Sequence, residues 1–594
     1  MKKISRYFIC FLAVAMLFSS VSCEDKDGPY TPPEPEINPG ITTGDDGDKP
    51  SFDYDITAWN GETATDAHLD YPGNDASFYH EANSFGTSIL VTFNGTSASV
   101  ESANSKVISK VEGAYVALNM KTNSVGTTEI IVRGTTSDGG LKIYGNKAIK
   151  LTLDGADITS TKGPAINNQC NKALFVHLTD ASTNSLTDAS VYSDDIYYIN
   201  KTSAEDRKGC FFSEGEIIFS GTGVLKVAAH YKHAIVTDGF FKMRPGVTLV
   251  VSNTAKNAIH VKGDTDEKLG VVIDGGLLHT SVASLAGKGI KCDMKVEIKG
   301  GKQVINTTGD SEYDASTKDT SSAAGIKADG DCIISGGKLY IKSTGKGGKG
   351  INSDTNISFS GGESTIITSG GEYQYSPTIT SSPKAVKADG NITISAGSLN
   401  VAALGVGSGS EGLDCAKDFT VSGGNTYIYA YDDAVNVNGA ANITGGNIEL
   451  YSSTNDGIDA NGRLTISGGT LLCTASHAPE SGIDVDKSTH FIINGGTVIA
   501  YAGALQSLPS SSSTQNSVLC KGVPCAKGAV LKVFDATGNE VVMHKCGRSI
   551  ADAAFFFSTP KIAMGTYSLS VGSTEWNAFS VSSKVTTVSA PAQN

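Results

Sequence analysis

Acidic side chains recur at matching positions between residues 411 and 484, each close to a pair of one small and one branched apolar residue. They are Glu411, Asp414, Asp433, Asp456, Asp459 and Asp484, with Asn436 and Asn455 among them. If matching positions lie on neighbouring strands, about 4.8 Å apart, two carboxylates repel by roughly 3 to 4 kcal/mol at an effective dielectric constant of about 20. Calcium, which accepts roughly six to eight oxygen ligands in loose geometry, would relieve this repulsion. The alternatives are that the carboxylates are protonated or that the ladder splays into water as solvated carboxylates.

A second set of candidate residues is aromatic and follows the Gly-Gly turns of the chain. The set comprises Tyr427, Tyr429, Tyr451 and Tyr501. Ile428 and Ala430 alternate with the first two, so we expect the tyrosines to point outward from their strands. Exposed tyrosine rings offer an apolar plane and a hydroxyl group, which suits sugar rings. The alternative is that tyrosine occurs here as a good strand former.

Signals for catalysis are few. Lys327 and Lys387 each stand in a Lys-Ala-Asp triplet, and a lysine beside bound calcium could abstract the proton next to a uronate carboxyl group. A surface ion pair on adjacent strands is the alternative. His230 and His233 are three residues apart, but no nearby residue completes a metal-binding set. No phosphate-binding loop, nucleophile elbow or HExxH sequence is present.

A repeat must position these residues. Small–apolar pairs lie 11 residues before a Gly-Gly or Ala-Gly turn in seven successive units, from Gly289-Ile290 to Gly457-Ile458. Such regular spacing indicates one supersecondary unit repeated as a solenoid. We predict an all-β fold, a parallel β-helix, over residues 140–505. The stretches of variable length fall at one point of the repeat, so they should protrude on one side; the longest are 306–324 and 368–384.

The two ends of the chain differ from the repeat. Residues 1–22 are typical of a lipoprotein signal peptide, and Cys23 is then the lipidated residue of an outer-membrane lipoprotein, with the acidic run after it favouring surface exposure. Residues 23–50 indicate a disordered tether. Residues 51–139 should form a β-rich N-terminal cap, and residues 516–594 a small C-terminal β cap that contains a hairpin at LKVFDATGNEVV.

Composition excludes some partners and leaves the disulfides open. The 594 residues carry a formal net charge of −14, which opposes binding to nucleic acid and, without a bridging cation, to acidic polysaccharide. Cys292 and Cys415 should be small buried residues. A disulfide between Cys520 and Cys525, or between Cys525 and Cys546, is compatible with secretion, and the sequence does not choose between them.

Several ordered motifs resemble a known family. They are the repeated Asp-Gly-Ile-Asp units, KALFVHLTDASTNSLTD (172–188) and YKHAI (231–235). With the Gly-Gly turns, they resemble the bacterial carbohydrate-binding β-helix domain related to polysaccharide lyases, over about residues 50–590. The resemblance implies a right-handed β-helix and binding of plant cell-wall polysaccharide such as cellulose or polygalacturonate. It also implies calcium on the stacked acids, which we place on Asp414, Asp433, Asp456, Asp459 and Asp484. The lysines upstream in the same column depart from an all-acidic pattern.

We therefore expect a monomeric, non-catalytic surface lipoprotein that binds polysaccharide with the help of calcium and touches the membrane only through its lipid. One alternative is a calcium-dependent polysaccharide lyase with Lys387 or Lys327 as the base. Another is a structural or adhesive β-helix that binds a protein partner.

Overall fold

Short runs of Val, Ile, Leu and Phe alternate with polar residues along the chain, and they form strands because such side chains fit a pleated, half-buried surface. The computed structural model describes residues 49–589, except 53–54, 68–76, 123, 194–204, 264–268 and 577. In this part the chain forms forty-nine strands and two single-turn 3-10 helices, His80–Ala82 and Ser488–His490. No helix of the described residues is long and apolar enough to cross a membrane.

The strands up to residue 252 are β1 (Thr87–Asn94), β2 (Ser97–Ser102), β3 (Ile108–Glu112), β4 (Ala114–Asn119), β5 (Thr128–Thr136), β6 (Gly139–Tyr144), β7 (Ile149–Thr159), β8 (Ile166–Asn168), β9 (Leu174–Leu178), β10 (Thr183–Thr187), β11 (Gly209–Ser213), β12 (Ile217–Gly221), β13 (Val224–Ala228), β14 (His233–Thr237), β15 (Phe241–Met243) and β16 (Thr248–Ser252). Those between residues 259 and 403 are β17 (Ile259–Val261), β18 (Val271–Ile273), β19 (Leu277–Val282), β20 (Lys288–Cys292), β21 (Val296–Ile298), β22 (Lys302–Thr307), β23 (Glu312–Asp314), β24 (Asp319–Ser321), β25 (Ala324–Ala328), β26 (Cys332–Ile334), β27 (Lys338–Ser343), β28 (Lys349–Ser353), β29 (Ile357–Thr368), β30 (Tyr373–Ser376), β31 (Ile379–Ser381), β32 (Lys384–Ala388) and β33 (Ile392–Ala403). Those from residue 411 onward are β34 (Glu411–Cys415), β35 (Phe419–Ala430), β36 (Val435–Val437), β37 (Ala441–Ser452), β38 (Ile458–Ala460), β39 (Leu464–Thr474), β40 (Ile483–Val485), β41 (Phe491–Ala502), β42 (Ser517–Cys525), β43 (Val530–Asp535), β44 (Glu540–Lys545), β45 (Ile550–Ser558), β46 (Gly565–Val571), β47 (Thr574–Glu575), β48 (Phe579–Val581) and β49 (Val585–Ser589).

Most strands belong to a large sheet of 25 strands. Two parallel ladders leave the long strand β7 and rejoin at the long strand β29. One ladder runs β7–β9–β12–β15–β18–β21–β26–β29. The other runs β7–β10–β13–β16–β19–β22–β27–β29. The pairings therefore close this part of the sheet on itself as a parallel barrel of 14 strands.

This closure corrects the predicted fold class. The fold is all-β, but the prediction of an open, right-handed parallel β-helix (solenoid) is wrong, because the 14-stranded part of the large sheet is closed by hydrogen-bonded pairing. The closure arises where β7 and β29 continue through corners at Gly155 and Gly362, which have positive φ angles of 71° and 72°. Glycine adopts this conformation without steric cost, so the backbone of β7 and of β29 can turn at the corner. Each of these two strands then pairs with one ladder before the corner and with the other ladder after it.

A second sheet of 15 strands carries the small–apolar pairs. Its order is β3-β4-β6-β8-β11-β14-β17-β20-β25-β28-β32-β34-β36-β38-β40, and all pairings except β3–β4 are parallel. From β20 to β40 the register aligns Ile290, Ile326, Ile351, Val386, Leu413, Val435, Ile458 and Ile483. All eight are fully buried in the main apolar core. The alignment predicted from the 11-residue spacing is confirmed.

The ends of the chain pair with the large sheet. Strands β1 and β5, within residues 51–139, already pair in parallel with each other, and β5 pairs with β7. At the other end β45 pairs antiparallel with β41 and β42. The predicted hairpin at LKVFDATGNEVV is confirmed as the antiparallel pair β43–β44. The parallel pairing thus gives way to antiparallel pairs at both ends, β1 with β2 and β41 with β45, and beyond β45 strand β42 pairs in parallel with β49.

Candidate functional site

The outward-facing residue after each buried Ile, Val or Leu of the second sheet forms a column, here called the outer column. Its members from β20 to β40 are Lys291, Lys327, Asn352, Lys387, Asp414, Asn436, Asp459 and Asp484. The register places each member beside the next one on the neighbouring strand. The column therefore changes from basic to acidic along one continuous face.

Ion pairs neutralise the basic half of the outer column. The Lys291 Nζ lies 2.8 Å from Asp293 and 2.7 Å from Asp329. Lys327 pairs with Asp354 and Lys387 pairs with Asp389. The two lysines that sequence analysis offered as lyase bases are thus hydrogen-bonded to carboxylates of the same face.

The acidic half contains carboxylates that face each other. Asp459 and Asp484 are register partners on β38 and β40. Burial, followed by the charges of Asp484 and Asp486, raises the pKa of Asp459 to about 6. Burial also raises the pKa of Asp484, with Asp486 adding to it. Negative charge is therefore concentrated at this end of the face, where a bound cation would relieve the most electrostatic repulsion.

A second column, here called the edge column, lies at the start of the same strands. Its members are Lys288, Ala324, Lys349, Lys384, Glu411, Asp433, Asp456 and Ser481. The carboxylates here are buried and accept backbone hydrogen bonds: Asp433 from the Asp456 N–H at 3.0 Å, and Asp456 from the Ser481 N–H at 2.5 Å. Burial raises the pKa of Asp433 to about 8 and that of Asp456 to about 7.

The five aspartates predicted as calcium ligands therefore divide between two columns. Asp414, Asp459 and Asp484 lie in the outer column, where Asn436 separates Asp414 from Asp459. Asp433 and Asp456 lie in the edge column. Within the described residues, no group of three or more His, Cys, Asp or Glu side chains is placed to hold a metal ion. The five aspartates thus do not form one cage, and a cation here would be held by the register pair Asp459 and Asp484, with other oxygens completing its coordination.

The expected exposed aromatic face is wrong. Side chains of Tyr427, Tyr429, Tyr451 and Tyr501 are only 0% to 6% exposed. Tyr429 and Tyr451 stack on each other with ring centroids 5.0 Å apart, Lys49 lies over Tyr429, and Arg548 lies over Tyr451. Tyr501 is covered because β45 pairs with its strand, and its hydroxyl donates to the Arg548 carbonyl at 3.2 Å. The period-2 pattern placed these rings outside their strands but did not show what packs over them.

Described residues of the N-terminal segment, among them Phe52, Glu62 and Asp66, contact the large sheet further upstream. Phe52 packs edge-on against Tyr340, and Glu62 pairs with Lys302 at 2.7 Å. The Asp66 carboxylate accepts the N–H groups of Gly246 and Gly276 at 3.1 and 2.5 Å. This face is therefore occupied by the chain itself.

The two longest variable stretches form hairpins that sequence analysis marked only as protruding. Strands β23 and β24 pair antiparallel, as do β30 and β31. Tyr313 of the first hairpin stacks on Tyr375 of the second, with centroids 4.0 Å apart and ring planes 5° apart. In the sequence, only the location of these two tyrosines on long insertions could have identified them as candidate site residues.

Two lysines of the edge column anchor the hairpins. Lys288 donates to the Ser321 hydroxyl at 3.0 Å, and Lys349 donates to the Ser381 hydroxyl at 3.0 Å and to the Gly347 carbonyl at 3.1 Å. Burial is the main cause that lowers the pKa of Lys288 to about 8 and that of Lys349 to about 7. The hairpins are thus fixed to the same column that carries the buried carboxylates.

The remaining candidates are structural. The His233 Nδ1 accepts the Asn257 N–H at 3.2 Å, and burial lowers the pKa of His233 to about 2, whereas His230 contacts Asp188. Cys292 and Cys415 are buried, as predicted. The disulfide joins Cys525 and Cys546, and Cys520 is free. The predicted signal peptide (1–22), lipidation at Cys23 and most of the tether (23–50) lie outside the described residues.

The fold and the site define an all-β protein whose second sheet and protruding loops present charged and aromatic groups to solvent. The chain belongs to the family described as carbohydrate-binding domain-containing protein, whose model matches residues 113–252, 246–372 and 369–457, more than half of the chain.

Two individual proteins are similar to parts of the chain. A carbohydrate-binding domain-containing protein of Acetivibrio thermocellus is 32% identical over 115 residues, which are 19% of this chain and 38% of the relative. The chain thus spans well under half the length of this curated relative. A solved structure, the polysaccharide lyase-like protein from C. thermocellum in a gadolinium derivative, has a TM-score of 0.32 and 20% identity, and it covers 52% of this chain and 96% of its own.

Proposed function

We propose that this protein is a non-catalytic binding protein for polysaccharide of the plant cell-wall type, acidic or cellulosic, and that calcium bridges its acidic face to acidic glycans. Membership of the carbohydrate-binding family supports the general class of ligand. The observation that carries the finer proposal is the register pair Asp459 and Asp484, whose electrostatic neighbours are acidic.

Asp459 and Asp484 supply too few oxygen ligands to complete the coordination of calcium, which is why we expect glycan and calcium to bind together. Two carboxylates provide at most four oxygens, whereas calcium takes roughly six to eight. Carboxylates and hydroxyls of an acidic glycan are suitable donors for the remaining positions. An acidic protein with a net charge of −14 would otherwise repel such a glycan. We therefore place the bridging ion at Asp459 and Asp484, with water or glycan oxygens completing it.

The cellular setting is part of the same proposal. A signal peptide over residues 1–22 and a lipid on Cys23 would anchor the chain at the outer membrane, with residues 23–50 as tether. Replacement of Cys23 by Ser should release the protein from the membrane fraction. Retention of the Cys23→Ser variant in that fraction would contradict the anchor.

The test is retention of the protein lacking residues 1–23 on polygalacturonate and on insoluble cellulose, with calcium or with chelator. Retention on polygalacturonate should require calcium and should fail in the Asp459→Asn/Asp484→Asn variant. The matched control is Asp293→Asn, which alters an acid already paired with Lys291 on the same face.

Ultraviolet absorbance of the supernatant separates the alternatives. Flat absorbance agrees with a binding protein, while rising absorbance from unsaturated product would show a lyase and overturn the non-catalytic assignment. No retention on either glycan would favour a structural or adhesive role toward a protein partner.

A further inference from the structure

Exposed apolar side chains are concentrated in one set of connecting segments. Of the nine large hydrophobic side chains that are exposed in the described residues, five lie in segments that lead from a strand of the large sheet to the next strand of the second sheet. These five, here called the loop ridge, are Val191, Tyr231, Leu285, Tyr375 and Val406, and they are 45% to 75% exposed. Because the segments occupy one point of the repeat, they leave the paired strands on the same side.

One aromatic ring of the ridge is supported from below. Tyr231 stacks on Tyr192 with ring centroids 4.0 Å apart and planes 20° apart. The Tyr192 hydroxyl donates to the buried carboxylate of Asp188 at 2.6 Å, and the His230 N–H donates to the other oxygen of that carboxylate at 2.5 Å. The Tyr231 ring is thus held in a fixed orientation although nearly half of it is exposed.

The second aromatic ring of the ridge is supported in the same way. Tyr375 stacks on Tyr313, and Ser322 and Ser381 join the two hairpin bases with hydroxyls 2.9 Å apart. Lys256 pairs with Glu312 at the start of the first hairpin and also donates to the Leu285 carbonyl at 3.4 Å. The hairpins and the Leu285 segment therefore form one ordered surface.

The spacing of the supported rings sets the shape of a suitable ligand. Tyr231 follows β13, whereas Tyr313 and Tyr375 follow β22 and β29, three and five strands further along one ladder. At about 4.8 Å per strand, these strands lie roughly 14 to 24 Å from β13. Only a ligand extended along the stack contacts both rings, with Leu285 between them.

We propose that the loop ridge binds a linear neutral polysaccharide chain, whose sugar rings stack on the exposed faces of Tyr231 and Tyr375. Two supported rings spaced apart along the ridge, with Leu285 between them, suit the apolar faces of successive sugar rings, whereas a protein partner is expected to cover one contiguous apolar patch. This contact needs no cation. The inference rests on the proposed function, because it assigns a second surface to the same class of ligand.

The test is affinity electrophoresis in native gels that contain hydroxyethylcellulose and chelator. The wild-type protein should be retarded, and Tyr231→Ala or Tyr375→Ala should each weaken the apparent affinity by roughly 3- to 10-fold, the range expected for loss of an aromatic contact. Tyr375→Phe keeps the ring and should keep the affinity. Matched controls are Ile108→Ala and Met543→Ala, which remove exposed apolar side chains away from the ridge.

The outcomes separate this inference from the calcium site. No retardation of the wild type, or equal retardation of the tyrosine variants and the controls, overturns the loop ridge as a glycan surface. Calcium-dependent retention on polygalacturonate can persist in either case, because it is tested by Asp459→Asn/Asp484→Asn. Circular dichroism of each variant verifies that the sheets are intact.

Discussion

The guanidinium of Arg244 is held by the carboxylate of Glu81 through two hydrogen bonds of 3.0 and 3.1 Å, although the residues are 163 positions apart. Arg244 is almost fully buried, and the ring of Tyr79 lies 4.3 Å from its guanidinium carbon. This bidentate pair fixes the N-terminal segment to the large sheet, and charge-assisted pairs of this geometry are among the stronger hydrogen bonds in proteins.

Glu81→Gln should lower the free energy of unfolding by about 1 to 3 kcal/mol, because a buried guanidinium loses its charged partner. Denaturant unfolding measures this loss, and limited proteolysis should show faster cleavage within residues 49–85. Glu112→Gln is the control, since Glu112 pairs with Lys110 at the surface and such pairs contribute little. Equal effects of the two variants would contradict the account.

Lys349 should make stability depend on pH. Burial, followed by the charges of Lys384 and Lys387, lowers its pKa from 10.5 to about 7. Between these two values the unfolded chain binds a proton that the folded chain has released, so the penalty for burying the charge is full below pH 7 and disappears as the pH rises toward 10.5. The free energy of unfolding of the wild type, relative to Lys349→Met, should rise with pH by up to about 1.4 kcal/mol per unit in this window.

Chemical denaturation from pH 6 to pH 10.5 provides the measurement for Lys349. Lys532→Met serves as control, because the Lys532 side chain is exposed beside Glu540. A difference between wild type and Lys349→Met that is flat across the window would show that the buried ammonium is not penalised as described.

Loss of the Tyr313 ring should loosen the hairpins without unfolding the sheets. Tyr313→Ala removes the ring on which Tyr375 stacks, a contact worth about 0.5 to 1.5 kcal/mol. Hydrogen exchange should become faster in β23, β24, β30 and β31 and stay unchanged in β25 and β32. Tyr373→Ala, on the second hairpin with Tyr375 but outside the stacked pair, should have a smaller effect. Unchanged exchange in Tyr313→Ala would refute the coupling of the two hairpins.

The disulfide between Cys525 and Cys546 should stabilise the C-terminal module. It closes a loop with a sequence separation of 21, for which loop entropy predicts a contribution of about 3 kcal/mol. Reductant should therefore lower the melting temperature of the wild type and leave the Cys525→Ala/Cys546→Ala variant unaffected. An equal response of both proteins would mean that the bond contributes nothing.

Local repetition explains how much of this structure the sequence could predict. The 11-residue spacing located the corners, since Gly301, Gly337, Gly424 and Gly469 all adopt positive φ angles that favour glycine. The same spacing aligned Ile458 with Ile483 and therefore Asp459 with Asp484. Both results follow from a period that is repeated in every unit.

Contacts between distant segments were not predictable in this way. Tyr429 is buried by Lys49 and Tyr451, and Tyr501 is buried by β45. These contacts come from other parts of the chain, so the alternation of apolar and polar residues within the tyrosine's own strand does not predict them. Closure of the large sheet depends on β7 and β29 each pairing with two ladders, which spacing alone does not reveal. The stacking of Tyr313 on Tyr375 likewise joins two insertions without repeat signals.

The most direct test of the central claim is calorimetric titration of calcium into the protein lacking residues 1–23, with and without oligogalacturonate. The account predicts that each ligand strengthens binding of the other by the same factor, and that Asp459→Asn/Asp484→Asn abolishes this coupling while Asp293→Asn preserves it. Calcium affinity that does not change with oligogalacturonate, or coupling that survives in the Asp459→Asn/Asp484→Asn variant, would contradict calcium bridging at this face.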